Sequence, residues 1–380
     1  MSGKTYRGIL LSGQAAEVTV RGERIASVRE IAAETGLPRL LPGLADMQHN
    51  GALGFPYNEM DDRAAEKLAQ IADFLHRHGV VRVRPTLTTM PYERLFQAVE
   101  AMRNVLEEDR GLAALFCGIF HEGVFISPDE GWRGSHAPDY ILPPDFELFS
   151  RLQEKSGGRI RAVNTAPEVE GALTFIEKAV ASGVQVGIGH CHPDTAAIRR
   201  AAACGASFVT HFANGAAARI HRFKNPFWGF LDTPELALGM IGDGFHLPPE
   251  VVRTALKVKG LERCYMVSDA NAYSGCPPGE YHRPGGIVDY IEPDGFMHTA
   301  DRDVLAGAWF QLDHGVEFLT GKCGLAFEDA WRLCSEIPAT LCGADLPRLR
   351  PDDEASFVVW DGKIVNTVFR GEEFPPVAPA

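Results

Sequence analysis

The sequence predicts an α/β protein: a (β/α)8 TIM-like barrel flanked by a small β-sandwich domain made from both chain ends. Three observations carry that reading. Between Leu44 and Glu336, short apolar runs alternate with helical patterns, in the number such a barrel needs. Both ends of the chain instead alternate apolar and polar residues around glycine turns, the pattern of short antiparallel strands. No Gly-x-Gly-x-x-Gly follows any of the apolar runs, which disfavours an open doubly wound sheet. The expected division is residues 1–42 plus 345–380 for the small domain and 43–344 for the barrel.

Taken in order, the opening stretch "YRGILLSGQAAEVTVRGERIASVREI" supplies the first short strands. The expected barrel strands are Gly43–Met47, Val80–Pro85, Leu115–Phe120, Ile160–Asn164, Val184–Gly189, Ser207–Thr210, Ala237–Ile241 and Cys264–Val267. Between the fifth and sixth, "DTAAIRRAAACG" spaces its apolar residues like one surface helix closed by Gly205. The segment "EASFVVWDGKIVNTVFRGEEF" returns to strand alternation, with an Asp361–Gly362 turn. The final "FPPVAPA" reads as a loose tail.

The bulk numbers bound the function. With 380 residues, 45% hydrophobic and 23% charged, the chain is of ordinary globular composition. A net charge of −13 argues against nucleic acid or an anionic membrane as partner, so any anionic substrate needs a local basic site. The 8 cysteines include no Cys-x-x-Cys pair, which fits reduced thiols rather than a disulfide framework. With no secretory signal and no apolar run of about 18 residues, the cytoplasm is the expected compartment.

A barrel's active site forms where its strands meet the following loops. Those positions carry Gln48 and Asn50, then His121 and Glu122, His190, His211, Asp243 and His246, and Asp269. A lone strand-end histidine is more often a hydrogen-bonded structural residue. Two on consecutive strands, joined by carboxylates, have the composition of a catalytic metal site, because zinc takes two His and one carboxylate and leaves a position for water.

Several stretches then match a known family in order: "PGLADMQHNG", "GVVRVRPTLTT", "HEGVFISP", "NTAPE", "GHCHPDT", "THFANG", "IGDGFHL", "VSDANAYSG" and "LAG". On them the chain resembles the amidohydrolase superfamily, and within it the N-acetylglucosamine-6-phosphate deacetylase family, over nearly its whole length. The resemblance implies metal ligands at Glu122, His190 and His211, a catalytic aspartate at Asp269, and His136 supporting the carbonyl oxygen as charge develops on it. It implies substrate contacts at Asn214, Gly215, Arg222 and His246. Arg219, His221, Arg222 and Lys224 lie within six residues, and arginine suits a phosphate. In the family this loop reaches a neighbouring subunit, which implies a homodimer.

Many amidohydrolases hold a second metal through His-x-His on the first strand, where this chain has Gln48-x-Asn50. Amide side chains are poor zinc ligands, so one divalent metal per subunit is expected, zinc first, with Fe2+, Mn2+ or Co2+ also suited to the donors. His49 between them should point the other way along the strand. Other departures gather near the substrate: Phe120 and Val124 around Glu122, Gly215-Ala216 after Asn214, Ala308-Trp309 after Gly307, and Ile337-Pro338-Ala339.

The expected reaction is hydrolysis of the N-acetyl amide of an N-acetylhexosamine 6-phosphate, first of all N-acetylglucosamine 6-phosphate. The alternatives are another N-acyl amine: N-acetylgalactosamine 6-phosphate, an N-acyl amino acid or a cyclic amide.

Overall fold

The computed structural model describes residues 3–284 and 286–376. Eight parallel strands, Leu44–His49, Val80–Leu87, Ile119–His121, Ile160–Thr165, Gln185–Ile188, Ala206–Val209, Ala237–Ile241 and Cys264–Val267, each pair with their neighbour along the chain. The sheet closes on itself between its last and first strands. Asp269 N donates to Gln48 O at 2.9 Å, Asn50 N donates to Ala270 O at 2.9 Å, and His49 bridges Ala270. The expected barrel is therefore present, and its closing seam runs through the residues around Asp269.

The strands are buried on both faces, which is why they read as unbroken apolar runs rather than alternating ones. The helices outside bury one stripe each. Ala64–Arg77, for example, turns Leu68, Ile71, Ala72 and Leu75 inward at helical spacing. The expected helix after the fifth strand is Thr195–Ala203. Asp194 caps it by accepting from Ala197 N at 2.7 Å, and Gly205 at φ +105° turns the chain into the next strand.

The third strand differs from the expectation of Leu115–Phe120. Asp109 accepts from Leu112 N at 2.9 Å and caps a further helix, Arg110–Leu115, so the strand covers only Ile119–His121. A short apolar run does not by itself separate helix from strand, and here a cap decided it.

The chain ends combine into one seven-stranded sheet, in the order Glu372–Phe374, Ile364–Phe369, Phe357–Trp360, Arg39–Pro42, Lys4–Leu10, Ala15–Arg21, Arg24–Glu30. Val18, Ile25, Leu40, Phe357 and Val368 form its own buried cluster. The pairing of Arg39–Pro42 with Phe357–Trp360 joins the two ends of the sequence just before the first barrel strand begins.

A three-stranded antiparallel sheet, Gly279–Arg283, Ile287–Ile291 and Met297–Thr299, is inserted between the last barrel strand and the helix Leu312–Gly321. It was not expected, although the alternation in "IVDYI" and the Asp294–Gly295 turn were signals for it. The proline-rich tail lies outside the described residues from position 377 on. Among the described residues all eight cysteines are free, and no helix is long and apolar enough to cross a membrane.

Candidate metal centre

Three of the expected site residues stand in a backbone conformation that L-residues rarely adopt. His190 has φ +50°, His211 φ +30° and Asp269 φ +49°, each two residues past the end of its strand. Such conformations cost on the order of 1–3 kcal/mol each and persist only where surrounding structure imposes them. They turn the side chains off the strand direction into the barrel mouth.

There the donors converge. His211 Nε2 lies 2.8 Å from Glu122 Oε1 and 2.9 Å from His190 Nε2, and His190 Nε2 lies 3.4 Å from the same carboxylate oxygen. All three residues are buried. The Trp132 carbonyl lies 3.1 Å from His190 Nδ1; a proton assigned there leaves the Nε2 lone pair facing Glu122. Burial and the His211 charge lower the His190 pKa, whereas Glu122 raises that of His211 against the burial penalty. Glu122 is itself held below the ordinary carboxylate range: burial opposes ionisation, but bonds and charge from both histidines outweigh it. Positive charge is therefore favoured where the three meet. Two imidazole nitrogens and a carboxylate at one point are the donor set of a divalent metal, so the residues present fit one.

His136 stands beside this group. Its ring packs edge-on to His190 with centroids 4.4 Å apart, and its donors lie within 4.8 Å of those of Glu122 and His190. Thr89 N donates to His136 Nδ1 at 3.4 Å, with Thr89 Oγ1 at 3.0 Å, which assigns the ring proton to Nε2. Burial, then the charges of His190, His211 and Arg283 against that of Glu122, keep this imidazole neutral. It is a neutral N–H donor at the edge of the metal site.

Gln48 and Asn50 hold the carboxylates. Gln48 Nε2 donates to Glu122 Oε1 at 2.9 Å and to Asp269 Oδ1 at 3.2 Å, while Asn50 Nδ2 donates to Asp269 Oδ1 at 2.8 Å. Two amide N–H groups thus converge on the same Asp269 oxygen. Burial raises the Asp269 pKa to about 6, helped by the Glu122 charge and opposed by His211 and Asn50. His49 turns away as expected and meets Tyr57 Oη at 3.1 Å.

The residues expected at the substrate's far end are less gathered. His246 Nδ1 lies 2.7 Å from Asp243 Oδ2, which fixes its ring. Gly215, at φ +59°, lies so close to His190 that an added Cβ would sit 2.5 Å from Nδ1. Asn214 bonds only its own turn, through Phe212 O at 3.4 Å. The Arg222 side chain is exposed and makes no hydrogen bond or ion pair to the described residues; its carbonyl accepts from Trp228 Nε1 at 2.9 Å. The loop around it exposes Phe223 (75%) and Trp228 (54%).

Sequence reasoning missed Thr89 and the Trp132 carbonyl, which orient His136 and His190. A backbone carbonyl acts whatever its side chain, so no residue type marked it. Val124 is a second finding: it has φ +88°, a conformation closed to the proline that the resemblance puts there. The chain leaves Glu122 by a path of its own.

Comparison with known proteins bears on this geometry. No family model matches the chain. It is 26% identical over 338 residues to N-acetylglucosamine-6-phosphate deacetylase of Bacillus subtilis, covering 87% of this chain and 83% of that one. It is 28% identical over 324 residues to N-acetylgalactosamine-6-phosphate deacetylase of Escherichia coli O157:H7, covering 85% and 83%. An aspartate-to-alanine variant of N-acetyl-D-glucosamine-6-phosphate deacetylase from Mycobacterium smegmatis, solved with N-acetyl-D-glucosamine-6-phosphate, superposes with a TM-score of 0.87 at 25% identity, over 99% of this chain and 100% of that one. The chain is a divergent relative of the N-acetylglucosamine-6-phosphate deacetylases. The match spans both the barrel and the seven-stranded sheet, so the likeness is to whole proteins and not to a shared barrel alone.

Proposed function

We propose that the chain is a metal-dependent deacetylase acting on an N-acetylhexosamine 6-phosphate, N-acetylglucosamine 6-phosphate first, and releasing acetate and the amino sugar phosphate. The observation that carries the proposal is the convergence of Glu122, His190 and His211 within 3.4 Å of one another beside a tethered Asp269. Those three residues would hold the metal, which we take to be zinc. Bound there, such an ion lowers the pKa of a water and polarises the amide carbonyl.

The chain's own groups do the rest. Asp269, with a pKa near 6, takes the proton of the attacking water and hands it to the departing amine nitrogen. Asn50 and Gln48 hold that carboxylate in position. His136 donates its N–H to the carbonyl oxygen as charge develops there. Asn214, Gly215, Arg222 and His246 bind the phosphorylated end, with the exposed 219–224 loop reaching a second copy of the chain in a homodimer of the cytoplasm. Residues 1–42 with 345–380 form the supporting domain, and 43–344 the catalytic one.

The second reading is the galacto epimer, favoured by the E. coli relative, which is 28% identical against 26% for that of Bacillus subtilis. Amine release decides between them. The panel holds both N-acetylhexosamine 6-phosphates, their unphosphorylated forms and several N-acetyl amino acids, on protein of known metal content. Preference for one phosphorylated sugar is expected. Turnover confined to the other compounds would detach the chain from sugar phosphates.

A further inference from the structure

The inserted three-stranded sheet has two unlike faces. Glu280 and His282 are exposed on one, 3.1 Å apart. On the other, Tyr281 stacks on Tyr273 at 4.6 Å, and Ile291 and Met297 pack with Tyr273, Cys276 and Trp309. This second face covers the loop that follows Asp269. Its apolar packing is interrupted by one ion pair. Arg283 Nη2 donates to Asp289 Oδ1 at 2.8 Å, and Nε lies 2.7 Å from Oδ2. Asp289 is fully buried and also accepts from Asn271 Nδ2 at 3.1 Å, two residues beyond Asp269.

Holding the sheet down does not require this pair. Burying charges costs desolvation, and apolar side chains of similar size would pack the face at least as well. What the pair does accomplish is to fix a guanidinium. Nε is not aligned for a hydrogen bond, Nη1 makes none to the described residues, and the side chain is 25% exposed. Part of a rigidly held fork is left to donate elsewhere. Through Asp289 it is tied to Asn271, two residues past Asp269, so the guanidinium is anchored on the loop that leaves the last barrel strand at the barrel mouth. The chain is otherwise acidic, and Arg222 stands on an exposed loop with no side-chain bond to the described residues.

We propose that Arg283 is a specificity-determining residue that binds an anionic oxygen group of the substrate, phosphate or carboxylate, with Asp289 and Asn271 as its positioning residues. The proposal rests on the reading of the barrel mouth as a hydrolytic site, and it departs from the loop as the sole source of cations.

The test compares metal-loaded wild type with Arg283→Met, Arg283→Lys and the double variant Arg283→Met/Asp289→Asn, which leaves no buried carboxylate unpaired. Steady-state constants are measured on N-acetylglucosamine 6-phosphate, N-acetylglucosamine and N-acetyl-L-glutamate. Calorimetric binding of inorganic phosphate and of glutarate covers any compound turned over too slowly. Both Met variants are expected to lower the ratio of anionic to neutral kcat/KM by about tenfold or more, mainly through KM, with partial recovery in Arg283→Lys. The matching probe, phosphate or glutarate, should bind about tenfold more weakly, and the arm affected identifies the anion. An unchanged ratio and unchanged anion binding in a double variant with wild-type melting behaviour would overturn the proposal, as would a wild type that prefers the neutral sugar. Wild-type turnover of N-acetyl-L-glutamate alone would defeat the sugar-phosphate reading while leaving Arg283 to be judged on the glutarate arm.

Discussion

An alanine at position 215 would test whether the His190 ring is fixed from several sides at once. The added Cβ would lie 2.5 Å from Nδ1, 2.7 Å from Cε1 and 3.2 Å from Cγ of that ring. The ring has little room to retreat, because Nδ1 is held to the Trp132 carbonyl at 3.1 Å and His136 packs beside it at 4.4 Å. The backbone adds its own cost, since φ +59° is left-handed and disfavours a residue with a Cβ by roughly 1–2 kcal/mol. Disturbing a partner that orients a metal ligand commonly costs about 10–100-fold in affinity, equivalent to about 1.4–2.8 kcal/mol. Gly215→Ala should therefore weaken metal binding by that factor, measured by chelator competition, and lower stability by about 1–3 kcal/mol in urea. Gly13→Ala is the control: φ is +87° there, with nothing within 4 Å of the added Cβ, so it carries strain without the contact. Wild-type metal affinity in Gly215→Ala would mean that the His190 ring has room to move without leaving the metal.

Two further substitutions follow from the buried polar groups. His121 is fully buried among Tyr92, Phe125 and Phe149 with neither ring nitrogen bonded to the described residues, so His121→Leu should raise stability by about 1–3 kcal/mol; a destabilised variant would mean those nitrogens are satisfied. Burial raises the Asp46 pKa to about 7 from 3.8, against bonds from Ser268 and Gln48, so the folded state keeps a proton that the unfolded chain releases between about pH 4 and 7. The stability contributed by Asp46 is thus present below about pH 4 and is lost as pH rises toward 7, by up to about 4 kcal/mol. Asp46→Asn should gain on wild type across that window in urea melts at pH 4.5 and 7.5, and a pH-independent difference would contradict the assignment.

Periodicity made most of the fold legible. The apolar runs ending at His190 and His211 are barrel strands because both faces are covered, and Asp194 and Gly205 bracket the helix between them as their chemistry demands. The third strand slipped because its apolar run suits a helix once Asp109 caps it. At the site, residue types were legible and orientation was not. Glu122, His190, His211 and Asp269 could be named from strand ends, yet the positive φ angles that aim three of them arise only from the folded context. Gln48 and Asn50 read as poor ligands, and their role as donors to both carboxylates needed the distances. Arg283 was invisible because it reaches Asn271 through Asp289 on an inserted sheet, a contact with no spacing rule.

In the proposed reaction Glu122, His190 and His211 would hold the metal, and Asp269 moves the proton as the N-acetyl amide is hydrolysed. The most direct measurement is amine release from N-acetylglucosamine 6-phosphate by wild type and Asp269→Asn, each with its metal content determined. One metal per chain is expected in both proteins, with loss of wild-type turnover on chelation and loss of nearly all turnover in Asp269→Asn. Near-wild-type turnover in Asp269→Asn, or undiminished turnover after the metal is stripped, would contradict the proposed reaction.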